Sequence, residues 1–79
     1  MTLDELREKL AEALEVEPES LSAETVLEGL PTFDSMGRLA VLAMIDRDFG
    51  LTLDAEDLNH YQTVSALYTL LIQRSSRSS

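Results

Sequence analysis

The sequence has no cysteine and no tryptophan, and it is short of positive charge. Without cysteine, the 79-residue chain has no disulfide, no thiolate metal site and no cysteine nucleophile. Aromatic residues make up 5%, and there are three glycines and two prolines. A chain poor in aromatic and β-branched residues but rich in Leu, Ala and Glu leans towards helix. Long apolar runs are also missing. The longest, Leu39 to Ile45, is far too short to cross a bilayer. The first residues, Thr2-Leu3-Asp4-Glu5-Leu6, show neither the basic segment nor the apolar stretch of a secretory signal, so a cytoplasmic protein is expected.

Six Lys and Arg stand against fifteen Asp and Glu, for a formal net charge of −9. Arg74 and Arg77 fall in the terminal Arg-Ser-Ser-Arg-Ser-Ser, so residues 1–73 keep four cations and a charge of −11. Such a surface repels nucleic acid phosphate and anionic lipid, which makes both poor partners. Two readings of the charge remain open. It complements a basic patch on a protein partner, or it only keeps the domain soluble.

What is present is enough apolar material for one small core. Hydrophobic residues are 44% of the chain, which argues against wholesale disorder. The length is that of one domain, small and only marginally stable.

Residues 2–15 read as an amphipathic helix, with Leu3, Leu6, Leu10 and Leu14 on one face and Ala13 beside them. Thr2 and Glu5 have the spacing of a capping box, and Asp4 and Glu5 suit the positive start of a helix. Pro18 is expected to end it. Glu17 to Pro31 then reads as a long connection, pinned over the core by Val16, Leu21, Val26, Leu27 and Leu30. A connection of that length in so small a domain often marks function.

Asp34 or Ser35 caps a second helix that runs to about Phe49, where Gly50 stops it. Leu39 to Ile45 is apolar nearly all round, so this helix is expected to be the central one, packed on most sides. Leu51 to Leu53 is extended. Asp54 to about Asn59 forms a short helical turn with Leu58 inward. Thr63 caps a last helix with Val64, Leu67 and Leu71 on one face and Tyr68 and Ile72 flanking. The expected fold is all-α, a small four-helix bundle of three main helices and one short one. The domain covers residues 1–73, and residues 74–79 read as a disordered Ser/Arg tail.

Catalysis by the chain itself is not expected. The one histidine, His60, reads as a solvent-exposed residue of a polar loop, with no spacing that pairs it with a serine. The acids Asp46, Asp48, Asp54, Glu56 and Asp57 crowd together but fail the calcium-loop pattern. Leu51 falls where that loop needs glycine, and Asp57 where it needs a bidentate Glu. No metal site is expected.

The informative segment is Thr32-Phe33-Asp34-Ser35-Met36-Gly37, where the long connection meets the most apolar helix. Backbone amides at a helix start lack intrahelical partners and carry positive polarity, so a phosphate on Ser35 Oγ would meet an anion-binding site. On spacing alone, the plain reading of Asp34 and Ser35 as helix caps is favoured, because Asp-Ser at a helix start is ordinary.

Phe33-Asp34-Ser35-Met36, the apolar helix closing in Phe49-Gly50, the short helix and the Thr63-Val64 start of the last one together resemble the acyl carrier protein family. The resemblance covers about residues 3–72. It implies that a phosphopantetheinyl transferase joins 4'-phosphopantetheine from coenzyme A to Ser35, with Asp34 and Met36 flanking the anchor and helping to dock the transferase. The chain would be a carrier and not an enzyme, the thiol coming from the prosthetic group. Its partners would be acyl-loading and acyl-transferring enzymes with basic docking surfaces, and it would act as a monomer. Ala40, Ala43, Met36 and Met44 leave open whether the interior opens to shelter an acyl chain or stays a plain packed core.

The sequence also departs from the family's pattern. Carriers of general fatty acid synthesis usually place carboxylates soon after the serine, whereas here Gly37 and Arg38 follow Met36 and no carboxylate appears until Asp46. A specialised pathway is therefore expected, such as a polyketide, modified lipid, fatty acid or aminoacyl route. The rival readings are a peptidyl or aminoacyl carrier, which commonly has a Gly-Gly-His-Ser type motif, and an unmodified acidic interaction module.

Overall fold

The computed structural model describes residues 2–77, with side-chain positions through Ser75. Four α-helices follow in order: α1 (Leu3–Leu14), α2 (Ser35–Phe49), α3 (Ala55–His60) and α4 (Val64–Arg77). Two 3-10 turns, Pro18–Ser20 and Leu27–Gly29, shape the connection between α1 and α2. No strand occurs among the described residues.

Leucine spacing sets the core. Leu6, Leu10, Ala11 and Leu14 of α1 are all buried, while Leu3 and Ala13 pack at its edge. α4 contributes Val64, Leu67, Leu70 and Leu71, and α3 contributes Leu58. Each fully buried Leu or Val stabilises the fold by about 1.5–3 kcal/mol relative to exposure. α1 packs mainly on α2 and also on α4, and α3 sits against α2. As expected, the connection is pinned by Leu21 and Leu27, both 1% exposed. Val26 differs, at 47% exposed. Its backbone does the holding instead, pairing with Thr63 in an isolated antiparallel bridge.

That bridge ties the connection to the start of α4. Leu27 N–H donates to Gln62 O at 2.8 Å. In return, the Val64 and Ser65 amides donate to Thr25 O at 3.2 Å and Ala23 O at 2.9 Å. Thr63 Oγ1 accepts from Ala66 N–H at 3.1 Å, as a cap should. The first-turn donors of α4 are thus met by loop and cap.

Four helix ends have clear local causes. Thr2 Oγ1 accepts from Glu5 N–H at 3.1 Å, so Thr2 caps α1. Asp54 and Asp57 form a reciprocal capping box at α3, at 3.0 and 3.1 Å. At the end of α1, Glu15 rather than Pro18 turns the chain. It adopts φ 58, and the next amide, Val16 N–H, reaches back to Ala11 O at 3.0 Å. Gly50 (φ 67) does the same for α2, as expected.

Three expectations need correction. α2 is not packed on most sides. Only Gly37, Val41, Met44 and Ile45 are buried, a single stripe, while Leu39 is 65% exposed. His60 is exposed as expected, but it ends α3 and does not lie in a loop. The boundary expected after Gln73 falls inside α4, because Arg74 donates to Asp57 Oδ1 at 3.1 Å and to Thr52 O at 3.3 Å. Ser78 and Ser79, the end of the expected tail, lie outside the described residues.

Glu15 generates a prediction. A left-handed conformation costs an L-residue about 1–2 kcal/mol, which glycine avoids at an entropic cost of about 0.5–1 kcal/mol. Glu15→Gly should therefore raise unfolding stability by about 0.5 kcal/mol, seen as a higher urea midpoint at unchanged slope.

Candidate functional site

The connection delivers Thr32 to Asp34 directly onto the start of α2. Phe33 is 7% exposed and anchors the segment in the core. Its amide donates to Leu30 O at 3.1 Å, which fixes the last bend of the connection. Asp34 resolves the choice between the two capping residues. Its extended backbone precedes the helix, and its Oδ1 accepts from Gly37 N–H at 2.9 Å. Ser35 is then the first helical residue and is exposed.

Gly37 makes this junction possible. A Cβ there would lie 2.1 Å from the Thr32 carbonyl oxygen and 3.2 Å from Leu14 Cδ2. The backbone of the connection therefore rests against the first turn of α2, where any larger residue would push it off. Gly37, which departs from the family pattern in sequence, is structural here. Its signal in the sequence was a glycine within the opening turn of a helix, where it costs about 0.5–1 kcal/mol against alanine.

The starts of α2 and α4 differ in how their amides are used. The loop covers those of α4. At α2, Asp34 takes the Gly37 amide, and among the described residues nothing accepts from the amides of Ser35 or Met36. The Ser35 hydroxyl thus stands next to two unmatched donors at the positive end of a 15-residue helix. These features suit a phosphate ester on Ser35.

Arg38, one turn further on, was not singled out as a site residue from sequence. Its guanidinium donates through Nη1 to Asn59 Oδ1 of α3 at 2.8 Å and through Nη2 to Glu28 Oε1 of the connection. It also lies 4.9 Å from the centroid of the Phe33 ring. No sequence signal marks Glu28 and Asn59 as its partners, since they come from two different elements.

On the other flank of the junction is an open groove of about 340 Å³. It is lined by Ala13, Leu14 and Glu15 at the end of α1, Pro31 and Thr32 of the connection, and Asp34, Met36, Gly37 and Ala40 at the start of α2. Thr32 Oγ1 is buried there without a hydrogen-bond partner. Of the four residues considered for an opening interior, Met36 and Ala40 both line this groove, and the other two do not. Met44 is in the core, Ala40 is at the groove, and Ala43 and Met36 are exposed, Met36 at 76%. At the far end of α2, hydrogen bonds from Arg47 hold the Asp48 carboxyl below its ordinary range, and the same bonds raise Arg47. No group of three or more His, Asp or Glu residues capable of holding a metal occurs among the described residues.

The geometry is thus a helical bundle with an accessible serine at a polarised helix start. Comparison with known proteins specifies the family. The family model of the phosphopantetheine attachment site matches residues 4–71. The solution NMR structure of a holo acyl carrier protein from Nitrosomonas europaea aligns with TM-score 0.74 over 95% of each chain, at 24% identity. No curated protein sequence matches. The chain belongs to the phosphopantetheine attachment site family and has the acyl carrier protein fold. It is a carrier and not an enzyme, and its prosthetic group is covalently attached 4'-phosphopantetheine.

The Gly37 contact leads to a second prediction. Gly37→Ala forces the Thr32 backbone away, an overpacking cost of about 3 kcal/mol offset by about 1 kcal/mol of helix propensity. Net destabilisation of about 2 kcal/mol should appear in urea unfolding, whereas Gly29→Ala, with nothing within 4 Å of the added Cβ, should change stability far less.

Proposed function

We propose that Ser35 is the attachment residue and that the chain carries acyl groups as thioesters for partner enzymes. The observation that carries this reading is the exposed Ser35 hydroxyl at the first position of α2, beside unmatched amides. Ser35 is the anchor and takes no part in later turnover. The prosthetic group supplies the thiol that holds the cargo. Asp34 fixes the rotation of the first turn through Gly37 N–H, so the serine faces out while Phe33 faces in. Asp34 and Met36, both exposed, are the flanking residues available to the transferase.

The Phe33-Asp34-Ser35 sequence favours acyl over aminoacyl cargo, because the aminoacyl carriers commonly have a glycine–histidine motif there. The surface beyond the serine supports a dedicated rather than a general partner set. Met36 and Leu39 are 76% and 65% exposed, and Ala43 is exposed. An enzyme surface built to grip carboxylates finds apolar side chains here. Basic partner surfaces would have to engage acids elsewhere, such as Asp46, Asp54 and Glu56, all exposed.

Two experiments test this. Incubation with coenzyme A and a broad-specificity phosphopantetheinyl transferase should raise the intact mass by one phosphopantetheine. Ser35→Ala should abolish the rise while the circular dichroism spectrum stays helical. A Ser35→Ala protein that still gains the mass overturns the assignment, and a wild-type chain that never gains it favours an acidic interaction module. For the pathway, turnover of the loaded chain by general fatty-acid enzymes should fall well below that of a housekeeping carrier. Equal efficiency contradicts the specialised role.

A further inference from the structure

We infer that Arg38 is the cationic partner of the phosphodiester on Ser35, held ready by Glu28, Asn59 and Phe33. This rests on the reading of Ser35 as the attachment residue.

Residues three apart on a helix are neighbours, with Cβ atoms about 5–6 Å from each other. Ser35 and Arg38 have that spacing at the start of α2. The guanidinium has five N–H donors in a planar fork suited to phosphate oxygens. Two are engaged, one with Asn59 and one with Glu28. Nε–H and the second proton on each terminal nitrogen remain. The three contacts come from the connection, α3 and the segment before α2, so the long side chain is already ordered and loses little freedom on gaining an anion.

Charge makes the role specific. The chain carries −9, and Asp34 lies next to the serine, so a further negative group is repelled unless a cation offsets it. The other cations with described side chains are committed elsewhere. Arg7 pairs with Asp4, Lys9 and Arg47 pair with Asp48, and Arg74 pairs with Asp57. Arg38 is the one described cation within a turn of Ser35. Its bond to Glu28 spans half-exposed side chains, which makes it a weak tie that an adjacent phosphodiester can share or displace.

The test compares apo and holo protein by nitrogen-detected NMR of arginine side chains, with mass spectrometry confirming the group on Ser35. The Arg38 Nε–Hε resonance should move on loading, well beyond those of Arg7, Arg47 and Arg74. In the holo protein, Arg38→Gln should shift the phosphorus resonance. Arg47→Gln, which removes a cation paired with Asp48 at the far end of α2, should leave it within the line width. An Arg38 resonance that stays with the other arginines, or a phosphorus resonance indifferent to Arg38→Gln, overturns the inference while the attachment at Ser35 stands. A group found anywhere but Ser35 overturns the attachment reading itself. Should Arg38→Gln fail to fold, the wild-type comparison decides alone.

Discussion

The close approach of the Thr32 carbonyl to Gly37 is the constraint from which the rest of the site follows. A carbonyl 2.1 Å from where a Cβ would stand leaves no room for any other residue. With the connection seated there, Phe33 turns into the core and Asp34 meets the Gly37 amide. Ser35 is left on the outer side of the first turn. The energetic asymmetry is large. Glycine sacrifices about 0.5–1 kcal/mol of helix propensity, but it permits the burial of an aromatic ring and a cap worth about 1 kcal/mol.

The same connection is fastened at its other side to the start of α4, through Val26 and its neighbours. One segment therefore spans two helix starts and treats them oppositely. Its carbonyls cover the amides of α4 and leave those of Ser35 and Met36 open. An uncovered helix start is tolerable where water reaches it. The starts of α1 and α3 also leave their first two amides without an acceptor among the described residues, so the feature particular to α2 is the exposed serine at its first position.

Much of the fold was legible in the sequence because its signals are local. Thr2, Asp54 and Thr63 cap as their residue types predict, and the leucine spacing of α1 and α4 names the buried face. The motif around Ser35 was legible through resemblance, since spacing alone left Asp34 and Ser35 interchangeable as caps. What stayed hidden depends on contacts between distant segments. Val26 is apolar but serves through its backbone, Glu15 ends α1 ahead of the proline, and Arg74 extends α4 by reaching Asp57. Arg38 joins residues ten and twenty-one positions away, which no periodicity encodes.

α2 misled for a different reason. Its apolar residues fall on both faces, which reads as a helix buried all round. The bundle has too few elements to surround it, because α1 and α3 meet only part of its circumference. Met36 and Leu39 are left in water, at a cost the fold does not recover from its own packing. Such conflicts between local pattern and global fold tend to concentrate where a protein meets something else. These two side chains lie within the same turns as Ser35, so the apolar surface and the serine form one continuous region. On the proposed function, a partner enzyme docking at the serine would bury these side chains, and recognition of that kind does not weaken with salt as an acidic stripe would.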